Sequence, residues 1–555
     1  MRKRSSNLLR SNRMSQSPSS EADVAFANRQ MVPGLVAVFA VFCTMTFFVQ
    51  TILIARPRMA ADLNGMALYS WSISIPSLAA AFVTLVFSKF SDMYGRRVML
   101  VISMAVFGVG TILCAISPTF PFLIAASTLS RLGSGGLMPL VYAVLGDMFP
   151  PAQRSKWVGL LNIPQGIFAL FGPTLGGWFV DNLSWRHLYW IGVPFIILCL
   201  LVIPSGVPAA AKKAGNRKID AKGAALVAIA SSATILGLSF AGTTYPWGSI
   251  QVIGLLGVAL LFWVLFFRVE GQADEPIMDP QVFRNRTFLT VAVAGMMSFF
   301  GLMGMMMYYP MFLQGVQGIS VMRSGQIITP YSVLVAFIGV PTGFILAKWK
   351  RYKWMYIASY GLLTVIMTGI AFFNSETPIY MGVLAATLAG LALGAIPTMN
   401  TLVVQYAVPK RLLGVALGAI FFSITMGMAI SPAILGSAMN MSYAKSLQSA
   451  LPTELARVAD REAITVMGDP KALLSPAAMK ELKSTFDRMG SNGGKLFNET
   501  VGAIRTAMEA GVRNVFLLGA VTMLISFLLV LTVPEVSMDA VVEDKKATAA
   551  IVAEE

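Results

Sequence analysis

The chain has 555 residues, 56% of them hydrophobic and only 12% charged, and its mean hydropathy is +0.71. A soluble domain carries about twice that charge, so the composition excludes one and points to an all-α polytopic membrane protein whose architecture is set by lipid. A single histidine, His187, and three cysteines inside apolar runs (Cys43, Cys114, Cys199) argue against histidine-based catalysis, a metal site or a disulfide framework.

Residues 1–32 form a basic tail, rich in Ser, Arg and Asn, that reads as disordered and cytoplasmic. No small-residue cleavage site follows a short apolar core, so the next run reads as a first spanning helix and not a cleaved signal. Fourteen apolar windows can each cross a bilayer: 33–55, 66–88, 98–117, 121–146, 157–180, 188–207, 223–245, 249–267, 288–312, 324–347, 354–373, 378–408, 412–440 and 514–533. The loops between them alternate in charge. One set holds Lys89, Arg96, Arg97, Arg154, Lys156, five bases between 212 and 222, Arg268, Arg284, Arg286, four bases between 348 and 353, Lys410 and Arg411. The short loops of the other set hold only Arg56, Arg58, Arg186 and Arg323. The net charge of +16 therefore fits membrane orientation with both termini inside, rather than nucleic-acid binding. Segment 441–513 falls outside; its Leu, Ala, Glu and Lys content suggests short amphipathic helices. The expected organisation is a six-helix bundle over 33–207, a basic linker with two extra helices over 208–270, a second six-helix bundle over 271–533, and a cytoplasmic tail at 534–555.

Between the second and third windows lies Ser88-Lys-Phe-Ser-Asp92-Met-Tyr-Gly95-Arg96-Arg97. Gly95 allows a tight reversal, and Asp92 stands four residues before Arg96, within reach for an ion pair if the helix continues. An ordinary charged loop would satisfy the charges alone. The pattern resembles the signature loop of the major facilitator superfamily, roughly G-x-L-x-D-R-x-G-R-R, with Ser88 for the leading Gly and Met93 for the Arg after the Asp. At the corresponding place in the second half, Gly343 to Lys353 reads as a decayed copy. Fourteen helices as six plus two plus six is the arrangement of the drug:proton antiporter-2 branch of that superfamily. The resemblance implies that Asp92, Gly95, Arg96, Arg97 and Asp147, at the inner end of the fourth window, gate the transporter. Asp92, Arg96 and Asp147 would form a charge cluster that latches the outward-facing state, and rocking of the halves would break and remake it.

Arg131 is the one charged residue inside the fourteen windows. A cation at that depth costs roughly 2.5 kcal/mol or more on insertion scales, so it should face a central cavity or bind backbone carbonyls. Arg131-Leu-Gly-Ser-Gly135 resembles the family's helix-4 motif, R-x-x-Q-G, whose Arg is linked to proton coupling or substrate binding. Further on, Gly166-x5-Gly172-Pro173-x-x-Gly176-Gly177 allows close helix approach and bends a helix at Pro173. It resembles the helix-5 antiporter motif, which in the family marks exporters.

The branch usually carries an Asp in helix 1; Phe48 occupies that place here, and no other window supplies a carboxylate. Asp92, Asp147 or a charged substrate would then have to couple transport to protons. Candidate polar residues for the substrate cavity are Gln50, Asn162, Gln165, Tyr308, Tyr309, Asn400 and Gln405. The Met- and Phe-rich run from Met296 to Met307 suits poorly discriminating apolar ligands, or simply packing and lipid contact. No Gly-Lys-Ser/Thr phosphate loop is present, and no cofactor is expected.

The expectation is an inner-membrane exporter of amphipathic or lipophilic organic compounds, working by alternating access with antiport against protons, and not an enzyme. The alternatives are an exporter or facilitator of an organic anion held by Arg131, and a non-transporting scaffold or receptor on the same fold. The branch resemblance also implies a periplasmic adaptor as a possible partner, touching 441–513.

Overall fold

The computed structural model describes residues 21–63, 71–149, 151–207, 221–242, 245–273, 276–319, 321–349, 351–451, 482–484, 486–487 and 493–534. These residues are almost entirely helical; the only β feature among them is an isolated bridge between Ala241 and Tyr245. Eleven helices are long and apolar enough to cross a membrane, or twelve if one bent pair is a single span.

The first half comprises α1 (Glu21–Asp62), α2 (Trp71–Tyr94), α3 (Arg96–Ala115), α4 (Phe120–Met148), α5 (Pro151–Leu160), α6 (Asn162–Asn182) and α7 (Arg186–Gly206). α1 packs on α6 and α7, while α4 packs on α2 and α3. The pair α8 (Ala221–Phe240) and α9 (Ile250–Glu270) lie against each other, and α8 also touches both halves. After the short α10 (Pro280–Arg284), the second half comprises α11 (Arg286–Met303), α12 (Val321–Phe337), α13 (Gly339–Trp349), α14 (Lys353–Ala371), α15 (Ile379–Ala407), α16 (Leu413–Ala450) and α17 (Gly493–Leu531). α11 packs on α16 and α17, α14 on α15 and α17, and α12 on α15.

Prolines explain the breaks. Pro164 and Pro341 have no N–H to return to Leu160 and Phe337, the last residues of α5 and α12. The pair α12 and α13 is bent by 41° there. Pro310 likewise has no N–H to return to Met306, and the helix loosens into π turns at Gly304–Tyr308 and Phe312–Val316.

The ends of segment 441–513 differ from the short amphipathic helices expected of them. α16 runs unbroken to Ala450 and α17 starts at Gly493, so both continue the spanning helices. Thirty-eight residues of helix extend about 57 Å, nearly twice a hydrocarbon core of about 30 Å. Tertiary pairing sustains the excess: Tyr443 and Leu447 are buried, Asn514 donates to Ser442, and the absent side chain of Gly511 makes room for Met439. Residues 452–481 lie outside the described residues.

Glycines set how closely the helices approach. A Cβ at Gly133 would lie 2.2 Å from the backbone nitrogen of Phe107, so α3 and α4 touch backbone to backbone. Gly257, in α9, has nothing within 4 Å of its would-be Cβ. Gly133→Val should therefore destabilise the purified protein by about 1–3 kcal/mol or more, whereas Gly257→Ala should be neutral or slightly stabilising; thermal melts of the two variants in detergent check this.

Candidate functional site

The signature loop forms a junction between the halves. Gly95 takes φ 96°, which lets α2 end and α3 begin with a single residue between them. That reversal brings Arg96 back over the last turn of α2. Its guanidinium lies 2.5 Å from Asp92, and its Nε donates to Asp147 at 3.0 Å. Its Nη1 also donates to Ser91 Oγ. Arg96 and Asp92 are largely shielded, whereas Asp147 is exposed. The family resemblance implied a cluster of these three charges, and the structure brings them together. Gly95 is buried; Arg97 is half-buried and joins no ion pair among the described residues.

The sequence did not reveal where Asp92 points. Its Oδ2 accepts the backbone N–H of Val415, 323 residues away, at 3.0 Å. Val415 is the third residue of α16, and its N–H is one of the donors a helix start leaves unpaired. The carboxylate also meets the positive end of the α16 dipole. A Cβ on Gly414 would lie 2.2–2.4 Å from the Asp92 carboxyl atoms, and one on Gly418 would lie 2.5 Å from Ser88 Cβ. Two glycines four apart on the first turns of α16 thus make the recess that receives α2. That spacing is the one sequence signal that could have identified the partner.

A second junction lies at the same end. A Cβ on Gly343 would lie 2.4 Å from the Ser155 carbonyl and 2.9 Å from Gly159 Cα; one on Gly159 would meet the carbonyls of Gly339 and Val340 at 3.0 and 3.1 Å. Asn162 donates across the halves to Thr398 Oγ1 at 3.1 Å. The rings of Tyr142 and Phe421 stack at 5.2 Å. Arg154 donates to the carbonyls of Gly146 and Phe149, holding the turn between α4 and α5. Every one of these contacts lies toward the end that carries the basic loops.

The helix-5 glycines serve two purposes. Gly172 and Gly176 admit Gln50 and the Thr51 carbonyl, seating α6 on α1; Gly166 faces the Phe337 ring of the other half. Pro173 and Gly177 belong to α6 at positions outside the described side chains. Phe48 is buried against Phe107 at 5.1 Å, Phe47 at 5.4 Å and Tyr189 at 6.4 Å, and its ring occupies the space beside Gly192. An aromatic cluster thus fills the place where the family resemblance led us to expect a helix-1 acid.

The cavity candidates scatter. Gln50 is half-buried and Gln165 is exposed. Asn400 is buried inside the second half and accepts from the Tyr356 hydroxyl at 2.8 Å. Tyr309 is fully buried and stacks on Phe312; Tyr308 is buried near Gly436. Gln405 is buried near Gly146, and neither of its amide atoms finds a hydrogen-bond partner among the described residues. Asn162, Asn400, Tyr308, Tyr309 and Gln405 are thus enclosed in this conformation. Arg131 differs: it is only half-buried although it lies eleven residues into α4.

Two helical bundles that meet at one end through small residues and a charge cluster are the architecture of a membrane transporter. A model of the Major Facilitator Superfamily matches residues 36–432, and the chain belongs to that superfamily. It is 26% identical over 488 residues to the multidrug transporter protein MdtP of Bacillus subtilis (strain 168), covering 84% of this chain and 86% of that one. It is 25% identical over 481 residues to multidrug resistance protein 3 of the same organism, covering 86% and 90%. Among solved structures, the human organic anion transporter MFSD10 (TETRAN) shares the fold with a TM-score of 0.57 at 13% identity, over 90% of this chain and 99% of that one. The proton:xylose symporter XylE does so with a TM-score of 0.54 at 12% identity, over 92% and 99%.

Gly414→Val would displace the Asp92 carboxylate as Asp92→Asn would discharge it. Each should slow transport about tenfold, about 1.4 kcal/mol on the rate-limiting barrier. The double variant should be no slower than either, because both remove one interaction; initial rates from the four-member cycle check this.

Proposed function

We propose that this protein is an exporter of amphipathic or lipophilic organic compounds that works by alternating access and is driven by proton antiport. The observation that carries the reading is the latch at Asp92, Arg96, Asp147 and the start of α16. It closes the basic ends of the two halves. By the positive-inside rule the basic ends face the cytoplasm, and closure there supports an outward-facing state. Export as the direction is supported by the glycines of α6, and the broad substrate class by the printed names of the two Bacillus subtilis relatives. The same reading takes the chain as fourteen spans in a six-two-six order with both termini inside, in the cell membrane. It makes the protein a carrier rather than an enzyme, with the small-molecule substrate and protons as its ligands and no cofactor. A periplasmic adaptor would reach the protruding ends of α16 and α17.

At the place of Phe48 the first helix offers no carboxylate for proton coupling, and the ring is sealed in an aromatic cluster. Asp92 is the proposed carrier, because its carboxylate exchanges a helix start and a guanidinium for solvent as the latch opens. In proteoliposomes, efflux of a lipophilic dye should accelerate with an imposed pH gradient and collapse with a protonophore. Asp92→Asn should make the residual rate independent of the gradient. Dye movement that ignores the gradient in the wild type would overturn the coupling, and no movement of any lipophilic or amphipathic dye would overturn the export reading.

A further inference from the structure

Two buried side chains at the junction of the halves carry polar atoms that the packing leaves unpaired. Gln405, on α15, is 3% exposed, and neither its Oε1 nor its Nε2 has a hydrogen-bond partner among the described residues. Arg154, on α5, is 4% exposed; its Nη2 donates to the carbonyls of Gly146 and Phe149, while its Nε finds no acceptor among those residues. Both flank one missing side chain. A Cβ on Gly146 would lie 3.4 Å from Gln405 Oε1 and 3.8 Å from Arg154 Cζ. The same Cβ would lie 2.8 Å from Leu413 Cδ2, so this glycine of α4 is where the first half meets the first residue of α16. Thr398, two turns before Gln405 on the same face of α15, accepts from Asn162 of the first half at 3.1 Å. The face of α15 that carries Gln405 is therefore turned to the first half. Tyr406 and Asp147 act on Arg154 through space, and Asp147 Oδ2 accepts from Arg96 at 3.0 Å.

Buried amide and guanidinium N–H groups are costly to leave unpaired, and ordered water ordinarily bridges them. The unpaired set here is one donor on Arg154 and a donor and an acceptor on Gln405. A single water matches that polarity: its oxygen accepts from Arg154 Nε, and one of its hydrogens goes to Gln405 Oε1. We propose that Arg154 and Gln405 hold one water molecule between the halves and so form a second bolt at the basic end, beside the contact of Asp92 with α16. The proposal rests on the alternating-access reading and moves Gln405 from the substrate cavity to the closure. It joins side chains of both halves without an ion pair, so its strength depends on the fit of the closed interface and is lost when the two faces part. The opposite account makes Gln405 a spring: an amide that stays unpaired on closure would favour reopening, when it regains solvent. The two accounts predict opposite effects of removing the amide.

Spin labels at Val98→Cys on α3 and Trp354→Cys on α14, both exposed near the basic ends, report the separation of the halves by pulsed electron resonance. The full-length protein is measured in nanodiscs, with Cys43, Cys114 and Cys199 replaced by alanine. Gln405→Leu keeps most of the volume and removes the polar atoms, so the closed-to-open ratio at this end should fall about fivefold. Gln405→Glu puts a carboxylate beside Arg154; a direct charge-assisted bond should raise the ratio about tenfold and slow dye efflux. Adding Arg154→Gln to Gln405→Glu should release that lock, a rescue that a purely structural role for either residue would not produce. An electron-microscopy map of the closed state that resolves waters should show one within hydrogen-bond distance of Arg154 Nε and Gln405 Oε1, and its absence there would overturn the bridge. A ratio that rises with Gln405→Leu would overturn the bolt in favour of the spring. Distances unmoved by both Gln405 variants would overturn it as well, and this comparison stands even where an Arg154 variant folds poorly. Because the distances are read without transport, failed dye efflux leaves the bolt standing, and a failed bolt leaves the efflux result standing.

Discussion

A carboxylate from one half of the chain caps the first turn of a helix from the other. Asp92 takes the Val415 N–H and the positive end of α16, and Arg96 holds it in place from behind while reaching Asp147. Both partners of this contact are incomplete without it. The start of α16 would leave an N–H unpaired, and Asp92 would sit beside Arg96 in a poorly hydrated crevice. Such a contact is stable when closed and quickly exchanged for water when opened, which suits a joint between moving bodies better than a packed apolar seam would.

Glycine supplies the geometry around that contact. Gly414 and Gly418 leave the recess that α2 enters, and Gly159, Gly339 and Gly343 let α5 and α13 cross backbone to backbone. Within the first half, Gly172 and Gly176 seat α6 on α1. In lipid, apolar side chains gain little by leaving one hydrocarbon surface for another, so close approach and van der Waals contact decide which helices pair. Small residues at helical spacing therefore do in this protein what large buried side chains do in a water-soluble core. The breaks at Pro164 and Pro341 fall beside the junction where α5 crosses α13.

The distribution of charge divides the first half by function. Acids and bases are matched at the latch, where the contact must close. At the opposite end Arg131 has Arg56 among its electrostatic neighbours and no carboxylate.

Much of this was legible in the sequence because its causes are local. Hydropathy gives the windows, loop charge gives the orientation expected of them, and the spacing of Asp92, Gly95 and Arg96 gives half of the latch. Arg131 stood out because a lone charge in an apolar window is costly. The helical continuation of α16 and α17 beyond the bilayer was not legible, because it depends on Tyr443, Leu447 and Gly511 meeting across the pair. Nor were the polar residues that the fold encloses: Asn400 and Gln405 look like cavity residues until their neighbours are known. The tertiary structure alone decided that Asp92 meets Val415, 323 residues away in the chain. Composition and spacing record what a residue requires of its surroundings; which distant residue meets that requirement is fixed only when the helices pack.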